Sequence, residues 1–225
     1  MDVMPTRMSP TTSVAGFIPY AVVSGIHVVA LLTGSDAVAG PTKLMLMPLL
    51  AVGVLWGARG RGARLVLLLA AIGLSWLGDG AADFFPGAPT LPMMLLCFGL
   101  AHLAYIWLFQ RHVAVRRRVP VWALVYAVWW IAMLVVLWPH LGSLTWAVAV
   151  YGLVLGGTAA SAARCRPVIA IGGAFFLASD TILALRLFLP DGTMPGWTSP
   201  LVMLAYCLGQ GLIAAGVVTS RGHRG

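Results

Sequence analysis

Two aspartates lie inside apolar segments of the sequence, where a carboxylate is costly unless it has a partner or a function. Asp79 ends the stretch Ser75-Trp76-Leu77-Gly78-Asp79, and Asp180 follows Ser179 in a later segment. Counting about 1.5 Å per helical residue, the two carboxylates lie roughly 8 and 13 Å from the same end of their predicted helices. Two carboxyl groups at one depth can divide the work of acid and base, as they do in glycoside hydrolysis.

The composition places these aspartates in a membrane protein with several spanning helices. Of the 225 residues, 60% are hydrophobic and 9% are charged, whereas about 25% of the residues of a soluble domain are charged. The net charge of +8 comes almost wholly from arginine. We interpret it as loop charge that orients the chain in the membrane, and not as a nucleic-acid site. The three cysteines are scattered and predict neither a metal site nor a disulfide framework.

Eight apolar segments approach the length of about twenty helical residues that spans a bilayer. The sequence therefore predicts an all-α bundle of eight transmembrane helices, a single domain over residues 14–219 with short tails at 1–13 and 220–225. The helices are expected near 14–33, 41–58, 65–84, 91–110, 120–138, 142–163, 167–189 and 199–219. We expect the first helix to be retained, because its apolar run is long for a signal peptide.

The charges between the predicted helices alternate along the chain. Arginines follow the second, fourth, sixth and eighth helices, whereas Asp36, Asp83 and Asp191 lie at the ends of odd-numbered ones. By the positive-inside rule, both termini are predicted to be cytoplasmic. We expect a multi-pass protein of a bacterial cytoplasmic membrane.

Further polar side chains are predicted at the depth of the two aspartates. They come from three helices and lie in the half of the bilayer opposite the arginines: His27, His102, Tyr105, Tyr206 and Gln210. Spacings of three or four residues within a helix place such groups on one helix face. The pattern predicts a polar cavity that opens on the non-cytoplasmic side. The alternative is that each group only bonds a neighbouring helix.

Two cations depart from the charge pattern. Lys43 and Arg186 lie near the helix ends that carry no other arginine or lysine. At the mouth of the cavity they would suit an anionic group such as a lipid phosphate. Alternatively, they reach to the membrane interface or pair with Asp83 or Asp191. Because the sequence has no phosphate loop, serine nucleophile elbow or zinc-protease motif, we expect a site without metal or cofactor.

Short motifs carry a family resemblance from the second helix to the eighth. They are Lys43 with Met47-Pro48, Leu77-Gly78-Asp79, His102-Leu103-x-Tyr105 with Phe109, Ser179-Asp180 with Leu183-Ala184 and Phe188, and Leu201-Val202-Met203 before Tyr206-x-x-x-Gln210. In this order the chain resembles the YhhN-type lysoplasmalogenase family of eight-helix membrane proteins. Leu44, Ala81, Ala82 and Ala205 depart from the residues usual in the family but leave the polar set intact.

The resemblance implies a hydrolase that cleaves the vinyl ether bond of a lysophospholipid, giving an aldehyde and a glycerophospho-head group. The predicted catalytic pair is Asp79 and Asp180, with either one as the acid. Lys43 and Arg186 are predicted to bind the phosphate. Other polar residues are predicted to contact the substrate and its attacking water: His102, Tyr105, Ser179, Tyr206 and Gln210. The expected partners are the lysophospholipid and the bilayer.

Three other functions use the same residues differently. An intramembrane aspartyl protease also has two membrane aspartates, but its Gly-x-Gly-Asp run is only partly matched by Gly78-Asp79. A proton-coupled transporter would use the carboxylates as proton carriers and needs a polar path through the arginine-rich half. A non-catalytic lipid-binding or scaffold protein would tolerate the loss of either aspartate.

Overall fold

In the part of the chain that the structure describes, the fold consists mainly of eight α-helices. The computed structural model describes residues 14–58 and 62–220, and within these ranges it has no β-strand. The helices are α1 (Ile18–Leu32), α2 (Asp36–Gly57), α3 (Ala63–Asp79), α4 (Thr90–Leu108), α5 (Val125–Leu137), α6 (Thr145–Ala162), α7 (Pro167–Phe188) and α8 (Thr198–Thr219). The predicted all-α class is confirmed. The tail 1–13, Arg59, Arg61 and residues 221–225 lie outside the described residues.

Six helices, α2 and α4 to α8, are long and apolar enough to cross a bilayer when the short helical turns beside α4, α5 and α6 are included. The other two are shorter: α1 has 15 residues and α3 has 17. A single turn, Ala81–Phe84, follows α3 after Gly80. The structure therefore supports a multi-pass membrane protein, while the eight spans and the cytoplasmic termini stay predictions.

Two helices extend beyond their predicted limits. α2 begins at Asp36, so that Pro41, the expected start, lies inside the helix. Asp36 stands in the first turn, where a carboxylate interacts favourably with the positive end of the helix dipole. The second extension follows α4, which continues as a π-helical turn, Phe109–Val113.

Seven of the helices form a closed ring. Each of α1, α2 and α3 packs on the next helix, α4 packs on α6, and the ring continues through α7 and α8 back to α1. α5 lies outside this ring, mainly against α6. Only 11% of its membrane-length segment, Val121–His140, is buried. Polar side chains that point into the ring are therefore shielded, whereas α5 offers most of its surface to lipid.

Glycines bring α7 and α8 into the closest contact. A β-carbon on Gly209 would lie 2.8 Å from the Phe176 nitrogen and 3.0 Å from the Gly172 oxygen. Side chains do not tolerate such distances, so the two backbones can touch only because both positions are glycine. This packing sets the stretch of α7 that carries Asp180 beside the stretch of α8 that carries Tyr206.

The two ends of the ring differ in their contents. The arginine end, where Arg64, Arg111, Arg116–Arg118, Arg164 and Arg166 lie, encloses fully buried apolar side chains, among them Leu50, Val54, Leu68, Leu108, Phe109, Ile169 and Ile213. The other end, called here the acidic end, carries Asp36, Asp83 and Asp191. Most polar residues of the interior lie between the midplane and the acidic end, whereas Thr158 and Ser161 of α6 are buried nearer the arginine end.

Candidate active site

Asp79 is held by a chain of hydrogen bonds that starts on α8. The Tyr206 hydroxyl donates to Asp79 Oδ2 at 2.7 Å. Gln210 Nε2 donates to Ser75 Oγ at 3.0 Å and approaches the Tyr206 hydroxyl at 3.5 Å. On its other side, Gln210 Oε1 accepts from the Tyr105 hydroxyl at 2.5 Å. Three helices, α3, α4 and α8, thus fix the orientation of one partly buried carboxylate.

The glycine before Asp79 has a packing role. A β-carbon on Gly78 would lie 2.6 Å from the Phe98 ring, so only glycine lets α4 lie this close to α3. Asp79 is the last residue of α3, and the chain turns at Gly80 into the next helical turn. The Leu77-Gly78-Asp79 motif therefore combines a close helix contact with a carboxylate at the helix end. Asp83, beyond the turn, is exposed.

Asp180 has its own pair of partners, from α4 and α6. The Tyr151 hydroxyl donates to Asp180 Oδ2. His102 Nε2 lies 3.6 Å from the same oxygen and 3.4 Å from the Tyr151 hydroxyl. Both His102 and Asp180 are buried, and His102 Nδ1 has no hydrogen-bond partner in the part of the chain that the structure describes. A buried carboxylate, a phenol and an imidazole therefore share one small space.

Tyr151 is a site residue that the sequence reasoning missed. A usable signal was present, since Tyr151 is about nine residues from the acidic end of its predicted helix, or roughly 13 Å. That is the depth predicted for Asp180. The neighbouring Gly152-x-x-x-Gly156 pattern indicates close helix packing, which accounts for α6 without any role for its tyrosine.

The two hydrogen-bonded carboxylate groups lie on either side of an aromatic ring. The Phe176 ring centroid lies 4.7 Å from that of His102 and 5.5 Å from that of Tyr206. Asp79 is close enough to Lys43 and Asp180 for their charges to act on it. In surroundings this apolar, charges interact more strongly than they do in water. The Phe176 ring therefore separates the hydrogen-bonded group of Asp79 from that of Asp180.

Lys43 is a cation close enough to Asp79 for its charge to act on the carboxylate. It lies on α2, partly exposed, and no carboxylate of the described residues comes within salt-bridge distance of it. Its neighbours are anchored: the Thr42 hydroxyl lies 2.9 Å from His27 Nδ1, and Trp76 Nε1 donates to the Leu44 oxygen at 2.9 Å. The second contact ties α2 to α3 beside Asp79. An unpaired ammonium group here can receive an anionic group of a ligand.

Two other predicted site residues join helices and lie outside the network. The Ser179 hydroxyl donates to the Val202 oxygen at 2.9 Å, bonding α7 to α8. Arg186 Nη1 donates to the Pro195 oxygen at 3.2 Å and to Thr198 Oγ1 at 2.5 Å, which fixes the start of α8. The contacts with substrate expected of Ser179 and Arg186 stay predictions.

An apolar cleft lies beside Asp180, between α5, α6 and α7. It has about 380 Å³ of empty volume, counting the part open to the surroundings. Most of its wall is hydrophobic, and Asp180, Tyr151 and Thr181 are its polar members. Elsewhere among the described residues, no three His, Cys or Asp side chains cluster in a way that could hold a metal ion.

Fold and site together define the class: a multi-pass membrane protein whose interior carries two carboxylates hydrogen-bonded by tyrosines. The chain belongs to the YhhN family, whose sequence profile matches residues 39–217, from α2 into the last turn of α8. The family predicted from the motifs is thereby confirmed. No curated protein and no solved structure matches the chain.

Proposed function

We propose that the protein hydrolyses the vinyl ether bond of a single-chain phospholipid, releasing an aldehyde and a glycerophospho-head group. The observation that carries the proposal is the pair of carboxylates in one membrane interior, Asp79 bonded by Tyr206 and Asp180 by Tyr151. Membership of the YhhN family supports it. So does the apolar cleft beside Asp180, since the substrate is a lipid.

The reaction needs one acid, one base and one water. A protonated carboxyl of the pair gives its proton to the chain-side carbon of the double bond, whose π electrons form the new C–H bond. The ether carbon becomes an oxocarbenium ion, which water attacks while the second carboxylate takes the proton of the water. The resulting hemiacetal loses its hydroxyl proton to the first carboxylate, and the leaving alcohol takes a proton from the second. Both groups return to their starting states, as in glycoside hydrolysis.

The structure of the arginine end favours a hydrolase over a transporter. A transported solute would need a polar path through that half of the ring. Instead, Leu50, Val54, Leu68 and Ile213 are at most 1% exposed there, and the few buried polar side chains of the described interior, such as Ser161, are hydrogen-bonded within the protein. A site without a polar path through the arginine end suits a reaction whose substrate and products stay in the bilayer or on one side of it.

Hydrolysis in deuterated water tests the proposal. The protein, purified in detergent, should release aldehyde from lysoplasmenylethanolamine, with one deuterium on the carbon next to the carbonyl. That label is expected because the transferred proton comes from a carboxyl that exchanges with solvent. The ester-linked lysophospholipid is the control and should stay intact. Absence of aldehyde, or equal cleavage of the ester, would contradict the proposal.

A separate prediction concerns the cation at the mouth of the site. Lys43→Gln should raise KM for lysoplasmenylethanolamine about tenfold, because a hydrogen bond to a charged group contributes about 1.5–3 kcal/mol. The turnover number should change much less, since the phosphate takes no part in the reaction. Steady-state kinetics in mixed micelles would measure both constants.

The control for Lys43 is a substrate without phosphate. On an alkenylglycerol, Lys43→Gln and the wild-type protein should have the same KM, because the ammonium group then has no anion to bind. A tenfold effect on this neutral substrate as well would show that Lys43 acts on the fold or on Asp79, and not on the head group.

A further inference from the structure

The cleft between α5, α6 and α7 is apolar along most of its length and polar at one place. Its hydrophobic wall includes Trp129, Trp130, Leu134, Gly152, Leu155 and Ala184. The hydroxyl of its Thr181 is already engaged, since it accepts from Trp129 Nε1 at 3.0 Å. Asp180 and Tyr151 are therefore the polar residues of the cleft that remain available to a ligand. A ligand that fits must be apolar over most of its length, with a polar or reacting group beside Asp180.

The cleft adjoins the surface that faces lipid. Trp130 and Leu134 line it and also line a groove on the outside of α5, together with Ile131, Val135 and Trp138. Val135 is 69% exposed, which in a bilayer means contact with acyl chains. Towards the acidic end, the cluster of Leu137, Leu141 and Val148 packs against Phe188 and closes the bundle. The open side of the cleft is therefore the side of the membrane, and not the aqueous end.

The cleft is narrow and as long as part of one hydrocarbon chain. Its lining residues on α5 run from Trp129 to Leu137, about 12 Å along the helix at ~1.5 Å per residue. Across the cleft, a β-carbon on Gly152 would lie 3.1 Å from Trp130, so the two walls are close. α5 makes few contacts with α7, and the Trp129–Thr181 hydrogen bond is one of them. A chain can enter between these two helices without disrupting the ring.

We propose that this cleft binds the hydrocarbon chain of the lipid substrate, which enters sideways from the bilayer between α5 and α7. The proposal rests on the proposed function for the identity of the substrate. In this pose the chain-side carbon of the vinyl ether lies at Asp180, and the head group extends towards Asp79 and Lys43. Asp180 then donates the proton to that carbon, and Asp79 accepts the proton of the attacking water.

Blocking the cleft tests the proposal through chain-length preference. Ala184→Phe, and separately Gly152→Leu, should lower kcat/KM for a hexadecenyl substrate about tenfold relative to a hexenyl one, because each lost methylene contact weakens binding several-fold. Leu187→Phe is the matched control on α7, since Leu187 is exposed to lipid outside the cleft. An unchanged ratio in both cleft variants, or an equal change in the control, would overturn the proposal.

A measurement without turnover separates this proposal from the proposed function. A saturated ether lysophospholipid with a diazirine at the end of its chain should label peptides from α5, α6 and α7, and Ala184→Phe should reduce the labelling. Labelling confined to α1, α2 or α8 would overturn the cleft as the chain site. If the protein cleaves no vinyl ether but the label still maps to the cleft, the proposed function fails while the chain site stands.

Discussion

Replacing either aspartate by asparagine is expected to lower the turnover of lysoplasmenylethanolamine about a thousandfold, because each carboxyl transfers a proton and such groups contribute about 10²–10⁴-fold. Asparagine keeps the size of the side chain. In Asp79→Asn the amide oxygen can still accept from Tyr206, and in Asp180→Asn it can accept from Tyr151. The fold should therefore persist while the proton transfers are lost. Aldehyde release from equal amounts of folded protein measures the effect.

The controls for this experiment are aspartates outside the interior. Asp83 and Asp191 are both exposed, and neither contacts the network around Tyr206 or Tyr151. Asp83→Asn and Asp191→Asn should retain turnover within about twofold, since surface substitutions away from special features have small effects. Wild-type rates in both Asp79→Asn and Asp180→Asn would contradict the mechanism. A loss of rate together with a lowered melting temperature would instead indicate a structural role.

The depth of each polar residue could be predicted from the sequence, but its partner could not. Counting along helices correctly grouped Asp79, Asp180, His102, Tyr206 and Gln210 in one half of the bundle. Which tyrosine bonds which carboxylate depends on the order of helices around the ring, and apolar helices of similar composition carry little information on that order. One feature of the sequence does agree with the outer position of α5. Among the six membrane-length segments, that of α5 has the highest mean hydropathy, 2.2, and it contains no charged residue.

Residues with the right type and depth can also hydrogen-bond neighbouring segments of the protein. Ser179 stands next to Asp180 in sequence, yet its hydroxyl bonds the Val202 oxygen, as expected when neighbouring helical residues point in different directions. Arg186 has the charge expected of a phosphate ligand, but its acceptors are Pro195, in the loop before α8, and Thr198, the first residue of α8. Which carbonyl or hydroxyl of another segment lies beside a polar side chain depends on the packing of the helices, and so these contacts could not be predicted from the sequence.

Loss of the Tyr151 hydroxyl, which the sequence did not predict as part of the site, is also expected to have a large effect on turnover. Tyr151→Phe should lower the turnover number about thirtyfold with little change in KM, because it removes a hydrogen bond to a buried ionisable group, a loss of about 1.5–3 kcal/mol. In this variant Asp180 would keep only His102, at 3.6 Å, as a neighbouring polar partner. Tyr206→Phe should act similarly through Asp79. Separate determination of kcat and KM distinguishes loss of catalysis from loss of binding.

Tyr126→Phe is the matched control for both tyrosines. Tyr126 lies on α5, half-buried, and its ring packs against Trp122 on the outer side of the bundle. Loss of its hydroxyl should leave kcat unchanged. If Tyr151→Phe also leaves kcat unchanged while lowering the melting temperature, the phenol only fills space between α6 and α7. If kcat falls in Tyr151→Phe and Tyr206→Phe but not in Tyr126→Phe, the activity of each carboxylate depends on the tyrosine hydroxyl that donates to it. Each Asp–Tyr pair then acts as one functional unit of the site.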